Sequence, residues 1–448
     1  MQDKYRLRWC TKSRTSIPVA KPKLSFHLSK PIPIEGRREW GLFLLFSLLL
    51  FAIMLGWHYY NYIQFVSSKK LFVTADVLLH YPKEKAGRHY QVLKLETSDG
   101  LTFYTTSKEL LKPLQGRNIS LLIFPKKVTF KDYLTTPYIP SVILRVNYQK
   151  SLRMHLFDYL GKVHEHRWMQ ELFGALFLAL PISKELRERV TRLGVNHLLA
   201  LSGFHMGLLW FMLYTLLSWL YKPFQQRFFP WRHRLMDVGL VTLLLLGGYL
   251  VFTGSPPSLL RAYMMVVIAW LALLFGLELF SFRFLALCVV ILLALFPSLL
   301  FSIGFWLSVS GIFFIYLFLK WTTQWPKWAI FIGLNLWVYL MMLPVVHLFF
   351  GTFSLYQLIS PILTVLFSFF YPLWIGLHLI GWGDVTDQWI VALLHWAEGG
   401  VVVYETTPLW LLILFITLAL GAIRWRIALY LQFGLALGWL IYLIQKVA

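Results

Sequence analysis

The chain has 448 residues, of which 58% are apolar and only 14% charged, yet its formal net charge is +22. An ordinary soluble domain carries about 25% charged residues and could not hide so much apolar surface, so a cytosolic enzyme, a disordered chain and a disulfide-stapled secreted domain are excluded. A polytopic membrane protein with basic parts outside the lipid fits both facts.

Residues 1–150 hold 24 Lys+Arg against 9 Asp+Glu, so a third of the chain carries +15 of the +22. The first 39 residues are basic, with Pro18, Pro22, Pro31 and Pro33, and read as a cytoplasmic tail. Trp40 to Ile63 is apolar and starts too far from residue 1 for a typical signal peptide, which predicts a first transmembrane helix over 40–65. By the positive-inside rule the tail stays in the cytoplasm and the chain emerges outside.

Over 66–150 the pattern changes to strands. Val73, Ala75, Val77 and Leu79 alternate with their neighbours at a period of two. Gln91 to Thr97 and Leu101 to Thr106 flank a Ser98-Asp99-Gly100 turn, and Asn118 to Phe124 and Ser141 to Tyr148 follow. Five strands in about 80 residues predict an OB-like all-β domain outside the membrane. Its basic residues include Lys83, Lys94, Lys126, Lys127, Lys131 and Arg145, with Tyr81, Tyr90, Tyr104 and Phe124 among them. Basic groups with aromatic platforms suit single-stranded nucleic acid; a solvated face over a barrel core has the same composition.

Residues 151–193 read as interfacial amphipathic helices. Leu152, Leu156, Tyr159, Leu160 and Val163 share one face. Leu172 to Leu180 is too short to cross and ends at Pro181, and Ser183 is placed to cap a helix with Leu186, Val190 and Leu193 on one face. Spans are then predicted near 196–220, 235–253, 257–276, 283–300, 304–320, 327–350, 361–382, 407–423 and 427–446, forming one bundle over 194–448. Lys222, Arg227, Arg232 and Arg234 place the 221–234 loop inside. The acidic stretch 383–405 points outside although strict alternation puts it inside, and re-entry of 351–382 without crossing reconciles the two.

Four segments are not generic: GVNHLLALSGFHMGLL at 194–209, GSPPSLLRA at 254–262, PSLLFSIGFWLS at 297–308, and the Pro344 to Pro361 region with Phe350-Gly351 and Phe353-Ser354. Their order resembles the ComEC family, the inner-membrane DNA uptake channel of naturally competent bacteria. The family's H-x-L-A-x-S-G-x-H-x-G signature falls on His197, Leu199, Ala200, Ser202, Gly203, His205 and Gly207, and its P-S-x-x-R-A motif on Pro257, Ser258, Arg261 and Ala262. Trp306 stands where the family usually has Gln, and Ser360-Pro361 where an Asn is common. Many members also carry a C-terminal metallo-β-lactamase-like domain, whose H-x-H-x-D-H run is absent; His164-Glu165-His166 has no Asp-His after it.

The resemblance implies a channel, not an enzyme, passing single-stranded transforming DNA into the cytoplasm across a bacterial inner membrane. On this reading the DNA path includes Asn196, His197, Ser202, Gly203, His205 and Arg261 in the bundle and Lys126, Lys127 and Arg145 in the β domain. Arg261 lies about one turn inside an apolar span, so it faces a wet cavity and touches phosphate, or snorkels to headgroups. Ser202 and His205 share a helix face and point roughly parallel, a poor geometry for a nucleophile and its base. Gly203 and Gly207 make a small-x-x-x-small face suited to helix packing, and Ser255 is placed to cap the helix that starts at Pro256. No nucleotide-binding loop, cofactor site or metal site is read. Partners expected beside the bilayer and the single strand are a periplasmic or surface DNA receptor and a cytoplasmic ATPase or single-strand-binding proteins. The pore lies within one chain or in a homodimer. The alternative is a membrane enzyme or exporter acting on an extracytoplasmic polymer, using Asp384, Asp387 and His395.

Overall fold

The computed structural model describes residues 36–85, 88–97, 100–109, 114–150, 152–199 and 203–447. The expected tail over residues 1–39 lies outside them up to position 35. The first helix, α1 (Arg37–Ser67), has 31 residues and no interior proline. It is about 46 Å long at 1.5 Å per residue, more than enough for a bilayer core of about 30 Å. The Glu39 carboxylate accepts the Gly36 N–H at 3.1 Å, closing the first turn. Most of its large apolar side chains are exposed, as lipid-facing side chains are.

The next five strands are β1 (Leu71–Lys85), β2 (Arg88–Thr97), β3 (Thr102–Ser107), β4 (Arg117–Ile123) and, after the short helix α2 (Phe130–Tyr133), β5 (Ser141–Lys150). All five predicted runs are strands. They pair antiparallel in the order β3-β2-β1-β4-β5. The sheet then closes: Tyr104 bridges Tyr138 in parallel, with the Tyr104 N–H donating to Pro137 O and the Ile139 N–H to Tyr104 O, each at 2.8 Å. Closure buries one set of side chains, among them Val77, Leu93, Leu95, Phe103, Ile119, Leu121 and Ile123. The domain sits on the end of α1, where Tyr59, Tyr62 and Phe65 meet Phe130 and Tyr133 and the Tyr62 hydroxyl donates to Val128 O at 3.0 Å.

A helical hairpin follows, α3 (Leu152–Val163) and α4 (Arg167–Leu178). Met154, Phe157 and Leu160 turn α3 inward, while Leu152, Leu156 and Tyr159 stay exposed. The predicted apolar face therefore divides: Leu160 is core, Val163 is half-buried, and Leu152, Leu156 and Tyr159 form an outer stripe. α4 is buried along most of its length and stops at Ala179, whose φ of 53° is left-handed, two residues before Pro181. Ser183 caps α5 (Lys184–Arg192) by accepting the Leu186 N–H at 3.3 Å, a contact that contributes about 1 kcal/mol. Leu186, Val190 and Leu193 are buried as expected.

The remaining helices are α6 (Asn196–Leu199), α7 (Gly203–Phe228), α8 (Arg234–Phe252), α9 (Pro257–Leu274), α10 (Phe282–Leu295), α11 (Ile303–Trp321), α12 (Lys327–Val346), α13 (Ser360–Leu379), α14 (Asp387–Trp396), α15 (Leu409–Ala422) and α16 (Arg426–Val447). Eight helices of the described residues are long and apolar enough to cross a membrane: α1, α7, α8, α9, α11, α12, the run 355–379 containing α13, and α16. α10 and α15 are shorter than the spans predicted there, at 14 residues each. Pro297 starts a separate 3-10 turn after α10, and Pro408 precedes α15. α7 starts seven residues later than predicted and continues through Pro223. Ser255 does not cap α9. Its φ is 50°, and its hydroxyl and N–H turn back to Leu250 O at the end of α8.

Residues 351–405 form an excursion whose two ends meet. β6 (Thr352–Phe353) pairs with β7 (Val403–Tyr404), and the Glu405 N–H donates to Gly351 O at 2.7 Å. α12 and α15 therefore reach the same end of the bundle. α5 fastens the returning chain: Arg189 pairs with Glu398 and lies 3.7 Å over the Trp168 ring, and Arg192 donates to the Ala397 and Glu398 carbonyls.

Candidate nucleic-acid interface

The pleat of β1, β2 and β3 sets one row of side chains outward. Tyr81 lies opposite Val92, Lys83 opposite Tyr90, and Val92 opposite Thr106. Tyr81, Lys83, Tyr90, Tyr104, Lys108 and Tyr138 thereby line an open groove of about 980 Å³, together with His89 and Thr106. The Thr106 and Tyr138 hydroxyls are 2.8 Å apart, which holds the closing segment over the groove. Lys94 stands 5.9 Å from the Tyr104 ring. Burial, then Arg187, pushes the Lys94 ammonium pKa down, and Glu96 opposes them. Lys83 and Lys108 are exposed. Four aromatic rings with flanking cations can stack bases and contact phosphates without reading sequence.

Tyr138 and His89 did not stand out in the sequence. Tyr138 sits in a proline-flanked segment outside any strand pattern, and only the closure onto Tyr104 brings it to the groove. Lys126, Lys127 and Arg145 do not line this groove. Lys126 and Lys127 are exposed in the turn Pro125–Lys127 near the end of α1. Lys131, just beyond, lies 6.0 Å over the ring of Phe301, so this basic corner rests on the third motif.

The β domain meets the second motif directly. Gly254 has φ of 79°, and a Cβ there would lie 3.0 Å from the Glu96 carboxylate and 3.1 Å from the Arg153 guanidinium. Arg153 donates to the carbonyls of Leu178 and Ala179 at 2.7 and 2.9 Å, so one side chain ties the end of α4 to this joint. Asp76, Glu96, Asn118 and Ser255 line a cavity of about 330 Å³ beside it. Burial pushes the Glu96 carboxyl above its usual range, and Arg153 pulls it back.

The motifs also meet one another. Ser360 is buried and donates to Gly194 O at 3.0 Å, so the fourth region holds the first residue of the first motif. Asn196 donates to Thr191 Oγ1 at 2.8 Å, and His197 Nε2 lies 3.2 Å from Thr364 Oγ1. Ser202 lies outside the described residues. His205 is fully buried, edge-on to Phe367 and Tyr371 of α13 at 5.0 Å each. Its ring is therefore packed within the bundle and reaches no open surface. Gly203 and Gly207 depart from the helix-packing reading, because among the described residues a Cβ at either would meet nothing within 4 Å. Their face of α7 is open.

Arg261 is 8% exposed in the second turn of α9. Its guanidinium lies beside Gly304 of the third motif, where a Cβ would be 3.6 Å from Nη1. Among the described residues no carboxylate pairs with it. Trp306, at the position that departs from the family pattern, donates its indole N–H to Leu300 O at 3.0 Å. Among the described residues, no group of three or more His, Cys, Asp or Glu is placed to hold a metal ion.

A family model described as Competence protein matches residues 180–429. Neither the curated proteins nor the solved structures contain a match to the chain.

Proposed function

The chain belongs to the Competence protein family, whose role is DNA uptake across a membrane, and from that premise we propose that it is the inner-membrane channel for a single strand of transforming DNA. The observation that carries this reading is Arg261. A cation in an apolar span costs several kcal/mol and persists where a partner or water offsets the cost. With no carboxylate among the described residues paired to it, its fitting partner is an anion that comes and goes, such as a DNA phosphate.

The strand order, with β3 bridged in parallel at Tyr104 to Tyr138 in the segment before β5, supports an OB-like barrel over 66–150, set outside the membrane while the tail 1–39 stays inside. The tyrosine groove receives the strand by stacking. The basic corner at Lys126, Lys127 and Lys131 leads over the third motif toward Arg261. The open face of Gly203 and Gly207 then lines the path, within one chain or between two copies. Arg145, Asn196 and His197 flank this route, and His205 supports it from behind. Segment 151–193 anchors the barrel at the interface, and 194–448 forms the bundle. A surface or periplasmic receptor delivers the DNA, and a cytoplasmic ATPase or single-strand-binding proteins draw it in.

The alternative, an enzyme or exporter acting on an outer polymer, would use Asp384, Asp387 and His395; Asp387 is bonded to His164, His395 packs on the Trp168 ring beside Glu398, and Asp384 is exposed.

The test is transformation frequency in Arg261→Ala and Arg261→Lys strains with equal membrane levels of the protein. Losing a buried charge contact of this kind is expected to lower uptake about 100-fold in the alanine strain, with partial function in the lysine strain. Normal uptake in both refutes the reading.

A further inference from the structure

A chain of four hydrogen-bonded contacts joins elements that the DNA path does not use. His164, in the turn between α3 and α4, is 3% exposed and stacks on Phe173 with ring centres 4.7 Å apart. Its Nδ1 lies 2.8 and 3.0 Å from the two carboxylate oxygens of Asp387, the first residue of α14. Its Nε2 lies 3.0 Å from Nε2 of His378, in the last turn of α13. His378 Nδ1 lies 2.7 Å from Trp374 O, and the Trp374 indole donates to Thr386 Oγ1 at 3.0 Å. Gly383 lets the main chain pass close, since a Cβ there would be 2.7 Å from His378 Nε2.

The proton count follows from donors and acceptors. The Trp374 carbonyl only accepts, so His378 Nδ1 carries a proton. The contact between the two Nε2 atoms needs one proton, because two lone pairs or two N–H groups would repel at that distance. The contact between His164 and Asp387 needs one more. Two neutral imidazoles supply two of these three protons, so the unit holds a third, and with the Asp387 carboxylate it is electrically neutral. Removing that proton sets lone pair against lone pair and leaves a buried negative charge. Adding a fourth sets donor against donor or leaves a buried positive charge. Either change costs far more in a buried site than in water.

The unit also has a mechanical position. The excursion 351–405 is tied at its base by β6 and β7, and His378 and Asp387 fasten its far part to the tip of the α3–α4 hairpin. We propose that His164, His378 and Asp387 form a one-proton clasp that holds the excursion against this hairpin and loosens when the proton is lost or a further one is gained. The charged groups facing it are few. The α3–α4 turn contributes His166, which faces Asp387; the turn before α14 contributes Asp384, which faces Asp387 and His378. α4 offers the rings of Phe173 and Phe177, and α13 offers Trp374. Asp384 and His166 are exposed, where solvent screens them. Burial pushes the Asp387 carboxyl up, and the His164 bond pulls it down.

Hydrogen exchange of the full chain in lipid nanodiscs, read by mass spectrometry on peptides covering 379–396 and corrected for intrinsic rates, tests the clasp. Imidazole charge changes fall mostly between about pH 5 and 8. Exchange is therefore expected to be slowest near neutrality and about tenfold faster at about pH 5 and about pH 9. His378→Gln should flatten the profile, whereas Asp384→Asn should keep it. A flat wild-type profile overturns the proposal without any variant having to fold. So does a wild-type profile retained in His378→Gln. Acceleration at neutral pH on adding a chelator also overturns it, because a metal ion would then occupy the place of the proton.

Discussion

Lys83 on the barrel and Arg261 in the bundle are both cations near the proposed path, and their surroundings make them different evidence. Lys83 is exposed, where water solvates a charge at no cost, so its presence says little by itself. Arg261 is buried in an apolar helix, where a charge is costly, so its presence demands a reason. Aromatic residues reverse the comparison. Phe, Trp and Tyr make up 18% of the chain, and in the bundle they are lipid-facing bulk and packing. On the barrel, four tyrosines around one open groove are the informative feature. A residue type signals function where its surroundings make it expensive.

The Arg261→Ala strain carries the largest expected effect on this contrast. Next comes the joint between the two regions. Gly254→Val places a Cβ against Glu96 and Arg153 at a positive φ, which costs about 1–3 kcal/mol. Limited proteolysis in membranes should then release the barrel faster, and uptake should fall about tenfold; unchanged proteolysis would show that the regions do not depend on this contact. On the barrel itself, Tyr81→Ala and Tyr90→Ala should each weaken single-stranded DNA binding by the full-length protein about tenfold, as the loss of one stacking ring does. Fluorescence anisotropy with labelled oligonucleotides measures this, and equal affinity in both variants would remove the groove from the path. Lys83→Ala should cost only a few-fold, alike for all sequences, and lower the salt slope by about 0.7.

The smallest effect is a pH shift at the joint. Burial raises the folded Glu96 pKa above its ordinary 4.5, so its protonated form is favoured by folding. That contribution is full below pH 4.5 and is lost as pH rises through the folded pKa. Glu96→Gln should match the wild type in thermal unfolding at acid pH and gain about 1–2 °C on it near neutrality. A gap that does not change with pH would place the effect elsewhere.

Much of the fold was legible in local pattern. A period of two marked the first of the five strands and turn signals and short strand-like runs the others, Ser183 announced its cap, and long apolar runs marked most of the spans. Prolines misled at the margins. Pro256 looked like the first residue of a capped helix, but the chain enters α9 one residue later while Ser255 turns back to α8. Gly203 and Gly207 had the spacing of a packing motif, yet spacing cannot say whether a neighbouring helix is present. The His164 bonds carried no visible signal, because the partners of this ring stand 214 and 223 residues away.

The sequence by itself determined the solvent of each segment, the order of the elements and, through four short motifs, the family. Those properties depend on hydrophobicity, backbone propensity and residue identity, which act within a turn or two of chain. Tertiary structure alone decided that Tyr138 completes the groove, that Gly254 seats the barrel, that Arg261 lies against Gly304, and that the ends of 351–405 meet. Each of these is a choice of which surfaces pack together. That choice rests on shape and on satisfying buried polar groups across distant segments, and no local pattern encodes it.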